Sequence, residues 1–400
     1  MSNPSPGLTY AAANSNLMSA ELIYDGDGIT HVPNRLLPSS FPNRETALAA
    51  VDAAGQMFGT PLERLVELAG RACYDSLGKG RKSPDYHKHI IEVNHGSVWA
   101  HANVTVEIAV VPSNIAGILS LLMNRPGVWV ECHPLPEWYR VRITANLRSI
   151  REWAKWGDSG HNFELARALT AAMTGIGHQV APQIVERHCA YVGTPLTAAL
   201  VEPQSDEERW VTMLLTGSRG FSHELVRHSY RTAISQRSTR YVDENESPWV
   251  MHPLEAAYRD QNPENPPFAL RIDEGYKATT VPELVGQEVY APTVTKLQEW
   301  IIGKGVDKFT ARKQARGAAR GYLGNALYTE VVFSASVAQW RRMIAQRACD
   351  AADAEIRSVF VKAAHELRRS RYANRFDDIT LDKKSSDGLT QVATFSREED

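Results

Sequence analysis

Four hundred residues with a formal net charge of -2 and an isoelectric point near 6.7 can bury a sizeable core and suggest two domains or one large one. This balance argues against a general nucleic-acid binder or a membrane-surface protein, so any anion site must be local. The four cysteines, Cys73, Cys132, Cys189 and Cys349, form no C-x-x-C pair and indicate neither a metal site nor a disulfide framework. The start, MSNPSPGLTY, lacks a basic region followed by an apolar core, and no uncharged apolar run reaches membrane-spanning length. A soluble, cytoplasmic protein is expected.

Residues 1–58 are rich in Ser, Asn, Pro and Gly, with ELIYD the one plausible strand, and read as an extended arm. Pro61 opens an amphipathic helix, PLERLVELAGRACYDS, with Leu62, Leu65, Leu68, Ala69 and Cys73 on its inner face. The loop GKGRKSPDY and a short helix, HKHIIEVN, follow. From His101, polar His101, Asn103, Thr105 and Glu107 alternate with apolar Ala102, Val104, Val106 and Ile108, the pattern of a strand with one buried face. SNIAGILSLLM reads as a buried helix and NRPGVWVECHPLPEWY as a proline-rich loop. ITANLRSIREWAKW and NFELARALTAAMTGIGHQVAPQIVERH read as two further helices. WVTMLLTG is a strand, and residues 244–290 form a long loop with insertions. KFTARKQARGAARGY is a helix with Arg312, Arg316 and Arg320 on one stripe. SVAQWRRMIAQRACDAADAEIRSVFVKAAHELRRSRY closes the fold as helix, and the tail from 381 is expected to be mobile.

The densest chemistry lies in Ser222–Tyr241, SHELVRHSYRTAISQRSTRY. Arg227, His228, Arg231, Arg237 and Arg240 are interleaved there with Ser235, Ser238, Thr239 and Tyr241. In a helix Arg227 and Arg231 share a face, and Ser235–Tyr241 reads as a polar loop able to wrap an anion. Arginine forks grip phosphate oxygens in pairs, while hydroxyls and loop amides complete a cradle. A solvated basic helix end is the alternative for this stretch taken alone.

Other segments join it. SRGFSHELVRH leads in, and Ser235-Gln236-Arg237-Ser238-Thr239-Arg240-Tyr241 fits S/N-[EQ]-x-S-x-R-Y. HGSVWAHANVTVEI fits H-G-x-x-x-x-E-H followed by a strand, with Ala100 in place of glutamate. Ala319, Arg320, Leu323, Leu327, Tyr328 and Thr329 fit A-R-x-x-L-P-x-x-L-Y-T, with Gly324 in place of proline. Arg347 stands before AEIR at 354–357. In this combination and order the chain resembles the flavin-dependent thymidylate synthases. Two departures stand out. Ser229-Tyr230-Arg231 stand where a single arginine should follow Arg227-His228, leaving Arg231 as the candidate replacement, and some 100 residues separate the histidine strand from the arginine helix, which are nearly contiguous in that family.

The resemblance implies an α+β fold with helices packed on an antiparallel-rich sheet. The long separation suggests either an internal duplication or a plain insertion. Under duplication, N-x-R-S survives as Asn146-Leu147-Arg148-Ser149 in the first half, and the second half reads Ser336-Val337-Ala338-Gln339 there. The expected division is an arm at 1–58, a first half at 59–204, a second half at 205–380 and a tail at 381–400.

The chemistry implied is C5 methylation of a uridine monophosphate, dUMP or UMP. Methylenetetrahydrofolate supplies the carbon, and FAD reduced by NADPH carries the electrons. No cysteine sits in a Pro-Cys-Gln context, so the nucleophilic-cysteine route has no candidate. By resemblance Arg240, Arg320, Ser238 and Thr239 hold the nucleotide phosphate, with Arg227, Gln236 and Glu224 completing that site. Arg347 faces the uracil edge. Arg227, His228, Arg231, Gln236, Asn146, Arg148 and Cys73 hold the flavin, and His101 and Tyr241 flank the flavin–folate side. Ser238, Arg347 and His101 form the catalytic set. A polar loop of Ser229, Tyr230 and Ser235 is expected to seat a ribose hydroxyl, so that both nucleotides turn over with dUMP the better one. A homo-oligomer, dimer or tetramer, with sites at subunit interfaces is implied. The competing expectation is a non-catalytic flavin or nucleotide binder.

Overall fold

The computed structural model describes residues 15–26, 32–123, 125, 127–156, 198–245, 247–262 and 289–397. Ser19–Tyr24 forms β1, followed by helices Arg44–Ala53 (α1), Pro61–Tyr74 (α2) and Ser83–Glu92 (α3). Helix α2 starts on a reciprocal cap, in which the Thr60 hydroxyl accepts from Glu63 N–H at 3.3 Å and the Glu63 carboxylate accepts from Thr60 N–H at 2.9 Å. Its apolar stripe is buried as the periodicity predicts. A tight helical turn, Gly96–His101, leads into strand Asn103–Val110 (β2) and helix Pro112–Met123 (α4).

The expected proline-rich loop is instead a hairpin of Val128–Pro134 (β3) and Tyr139–Asn146 (β4). Its prolines end one strand and sit in the turn, where a missing N–H costs the ladder nothing. The helix expected from Ile143 therefore begins only at Leu147 (α5, Leu147–Trp156), after a strand in which Val141, Ile143 and Ala145 point into the core. The long apolar helix read between 162 and 188 lies outside the described residues. Ala198–Leu200 (β5) completes a sheet in the order β3-β4-β2-β5.

The second sheet is centred on Trp210–Ser218 (β6), which continues into helix Arg219–Leu225 (α6) and strand Thr232–Gln236 (β7). The basic stretch is therefore not one helix carrying Arg227 and Arg231 on a face. It leaves the helix at Leu225, turns, and re-enters as a strand. Helices Pro253–Gln261 (α7), Ala291–Ile302 (α8) and Lys308–Ala319 (α9) precede a strand the sequence reading missed, Tyr328–Ser336 (β8). Both β6 and β8 are buried along their whole length. Their polar residues are satisfied across the ladder, as where the Thr212 and Ser334 hydroxyls meet at 2.6 Å. The order is β1-β6-β8-β7, so the expected N-terminal arm contributes an edge strand.

The closing helix is two, Val337–Arg347 (α10) and Ala354–Leu367 (α11), with Asp353 capping the second. The tail is not loose either. Ile379–Lys384 (β9) and Gln391–Phe395 (β10) pair as a hairpin, and Ala393 N–H donates to the Ala348 carbonyl at 2.8 Å. One apolar core lies under the first sheet and reaches Leu214 and Val332 of the second. The other packs α10 and α11 on the opposite face of β6 and β8. The two sheets share one wiring. In each, a strand, a helix, an edge strand and a returning strand follow in chain order, with α7, α8 and α9 intervening between the last two in the second sheet; the returning strand runs straight into a helix, and the edge strand's first residue pairs with its penultimate one (Val128 with Ala145, Thr232 with Ala335).

Candidate active site

Two groups of charges are built from the basic stretch. The first is the turn after β7. Ser238 N–H donates to the Cys73 carbonyl at 2.9 Å, and Tyr241 and Val242 N–H close back on the Ser238 carbonyl. Helix α9 clamps this turn through Arg316, which donates to the Tyr241 carbonyl at 2.6 Å and to Asp243 at 2.5 Å. Arg240 is exposed, with its Nε 3.9 Å from where a Cβ on Gly317 would stand, and Arg320 is exposed one turn further along. Neither guanidinium has a hydrogen-bond or ion-pair partner among the described residues, so both are available to an anion, Arg240 from within the hydroxyl-bearing turn itself. Thr239 is buried beneath them.

The second group lies at the end of α6. Arg347 donates from Nε to His228 Nε2 at 2.7 Å and from Nη1 to Glu224 Oε2 at 3.1 Å. Burial first, and the Arg347 charge second, push the His228 pKa down, which keeps the ring a neutral acceptor. Arg347 Nη2 has no partner among the described residues. Arg227, on the exposed turn beside them, has no ion-pair partner there either. Gln236 links the groups, donating to Ser222 Oγ at 3.0 Å and Thr329 Oγ1 at 3.1 Å, so its amide is spent on positioning.

An aromatic edge joins the first half of the chain to the turn. Tyr74 packs edge-on against Tyr241, with ring centroids 4.8 Å apart, and its hydroxyl meets His95 Nδ1 at 3.2 Å. Lys313 Nζ lies 5.0 Å from the Tyr241 ring centre. The Arg148 side chain lies over Gly96, 3.7 Å from its Cβ position, next to His95. Arg148 also pairs with Glu152 at 2.9 Å, an exposed contact of little energy. Sequence reasoning missed Tyr74 and Lys313. An aromatic at the open end of a helix and a lysine one residue off an arginine stripe give no signal until the helices are placed.

Several expected roles need correction. His101 does not flank an open site. It is 1 % exposed, held between Ser334 Oγ at 2.7 Å and Ser235 Oγ at 2.9 Å. Burial pushes its pKa down to about 3, so it is a neutral pin between the halves. The same bond removes Ser235 from the expected ribose contact. Arg231 is no replacement for the missing arginine. It occupies the left-handed region at φ 48°, its guanidinium is taken by Glu207 at 2.5 Å, and it lies 4.9 Å from the Trp129 ring centre. Cys73 is buried and its thiol pushed up to about 11, by burial against a weaker opposing bond from Ser235, so at neutral pH it stays a thiol. Asn146 caps α5 by accepting from Ser149 N–H at 2.8 Å. Gly127, at φ 74°, covers it where a Cβ would come within 2.3 Å of the amide nitrogen.

Among the described residues no helix is long and apolar enough to cross a membrane. The family model described as "Thymidylate synthase complementing protein" matches residues 207–370. A flavin-dependent thymidylate synthase of Mycobacterium sp. (strain KMS) is 34% identical over 165 residues, 40% of this chain and 59% of that protein. The protein of the same description from Mycobacterium marinum is 33% identical over 162 residues, 40% of this chain and 58% of that one. The chain thus spans about three-fifths of the length of these relatives. The crystal structure of thymidylate synthase X from Helicobacter pylori with FAD and dUMP aligns at 15% identity over 62% of this chain and 97% of that one, with a TM-score of 0.25. Residues 207–370, which carry β6, the basic turn, Arg320 and Arg347, are thus similar to the flavin-dependent thymidylate synthases.

Proposed function

We propose that the protein methylates C5 of a uridine monophosphate, with dUMP the better substrate and UMP also accepted, using methylenetetrahydrofolate, FAD and NADPH. The observation that carries this reading is that Arg240, in the Ser238–Tyr241 turn and beside Gly317 of α9, and Arg320, just past the end of α9, are exposed cations without a counter-ion among the described residues. The donor set fits FAD. Arg227 and Arg148 stand exposed for phosphate oxygens, and the Tyr74–Tyr241 edge offers aromatic surface for a ring system. When bound, the flavin supplies the electron chemistry. The chain's own residues position and polarise: Arg240, Arg320 and the Ser238 hydroxyl hold phosphate, and Arg347 presents Nη2 where charge develops on the base oxygen.

Arg240→Ala should weaken nucleotide binding by about 1.5–3 kcal/mol, the worth of a charge-assisted contact. Calorimetry checks this, and an unchanged dissociation constant would remove Arg240 from the phosphate site. One observation favours a second reading, a binder without turnover: Arg231 is committed to Glu207. Nucleotide-dependent NADPH oxidation separates the two.

The shared wiring of the sheets supports reading the chain as two copies of one unit, with Asn146 and Ser336 as equivalent helix caps. A homodimer then presents four units, with sites completed across the subunit interface. Arg148→Ala should lower FAD retention in that dimer. Light scattering that gives a tetramer, together with full flavin occupancy in the variant, would sink this arrangement.

A further inference from the structure

The glycine- and lysine-rich loop between α2 and α3 turns its carbonyls inward. Arg71, 2 % exposed, donates to the carbonyls of Ser76 at 3.3 Å, Lys79 at 3.2 Å and Arg81 at 2.6 Å. Gln56, fully buried, donates from Nε2 to the Lys79 carbonyl at 2.7 Å and accepts from Gly78 N–H at 2.7 Å. The buried Glu67 carboxylate balances the Arg71 charge at 2.7 Å. A trans peptide sets its N–H opposite its carbonyl, so drawing in the carbonyls of Lys79 and Arg81 turns Gly80 N–H and Lys82 N–H outward. Neither N–H has a partner among the described residues. Gly80 takes φ 80°, and a Cβ there would meet nothing within 4 Å, so the space over the loop is open. Lys79, Arg81 and Lys82, which carry or flank these amides, are exposed and have no ion-pair partner among the described residues.

We propose that this loop binds the 2′-phosphate of NADPH, which rests on reading the chain as an NADPH-dependent flavoenzyme. Outward amides with three cations around them suit a compact dianion, and an arginine fork matches its oxygens two at a time. The place of the loop selects the ligand. It leaves the end of α2, where the Cys73 carbonyl accepts from Ser238 N–H at 2.9 Å and Tyr74 packs against Tyr241. Five residues of chain, at most about 18 Å, lead from Tyr74 to Lys79. A dinucleotide reductant brings its nicotinamide to the flavin while its adenosine phosphate extends far from that ring, and the span from the Tyr74 edge to the loop matches that shape. NADH lacks this phosphate, so the loop selects NADPH over NADH.

The test is calorimetric titration of 2′,5′-ADP into the full chain, with 5′-AMP as the control, together with steady-state oxidation of NADPH and of NADH. The chain should bind 2′,5′-ADP more tightly than 5′-AMP. Arg81→Ala and Lys79→Ala should each weaken 2′,5′-ADP roughly tenfold, the loss of a charge-assisted contact, whereas Arg240→Ala should leave it unchanged. In turnover, Arg81→Ala should lower kcat/KM for NADPH by a similar factor and leave NADH alone, a split that a merely structural loop would not give. Binding of 2′,5′-ADP that survives both loop variants, or equal losses with NADPH and NADH, overturns the proposal. Binding of 2′,5′-ADP through Arg81 without methyl transfer supports the loop site and refutes the methylase reading. Methyl transfer without 2′,5′-ADP binding does the reverse.

Discussion

Arg347→Ala is expected to retain flavin and nucleotide while methyl transfer falls on the order of 10² to 10³ in rate, the usual cost of removing one donor aimed at developing charge. The expectation rests on how the side chain is held. His228 accepts from Nε and Glu224 from Nη1, which fixes the guanidinium plane and leaves Nη2 without a partner among the described residues. A group held this way is preorganised and gains most when its target becomes negative. Arg347→Lys should rescue little, because a point charge cannot keep both contacts and still present a third donor. Single-turnover flavin oxidation reads the step directly. Normal turnover in Arg347→Ala would take this residue out of the chemistry.

The largest stability effect is expected at Glu208. Arg142 on β4 donates to both of its carboxylate oxygens at 2.8 Å, and both side chains are buried. Glu208 lies two residues before β6, so the pair ties the first sheet to the entry of the second. Glu208→Ala leaves the buried Arg142 with the partly exposed Glu107 carboxylate at 3.2 Å and the Glu202 carbonyl at 2.8 Å, and should cost about 3–5 kcal/mol. Replacing both partners with apolar residues of similar volume should cost much less. Burial pushes the Glu208 pKa up, but bonds from Arg142 and from Gln204 and Ser205 N–H outweigh it and hold the carboxyl below its usual range. The sign follows: this stability is present above the unfolded carboxyl's pKa and is lost as pH falls through the lower folded value. Urea melts of wild type and variant across that acid range should converge. A Glu208→Ala chain as stable as wild type at neutral pH contradicts the lock.

Much of this was legible in the residues. Pro61 and the stripe Leu62, Leu65, Leu68 announce α2, and the alternation after His101 announces β2, because local patterns decide both. Strand β8 was missed because YTEVVFSAS carries Glu330 and Ser334, which look surface-exposed until Tyr328, Arg237 and Thr212 are seen to satisfy them. The β3–β4 hairpin was hidden by prolines that sit where strands stop. Motif matching singled out Arg240, Arg320 and Arg347 as candidates. It misplaced Arg231 and His101, whose fates depend on Glu207, Trp129, Ser235 and Ser334, distant in sequence and adjacent only after folding. Tyr74 belongs to the same class.

Methyl transfer to a uridine monophosphate is the proposed reaction. The direct measurement offers the full chain FAD, NADPH, methylene-labelled methylenetetrahydrofolate and equal dUMP and UMP, and identifies the labelled nucleotides by mass. Label is predicted on the C5 methyl of dTMP, with a smaller share on 5-methyl-UMP and a kcat/KM preference below about 10⁴, the level of a site built to reject a hydroxyl. NADPH consumption with no labelled methyl on either nucleotide would rule out methyl transfer by this chain.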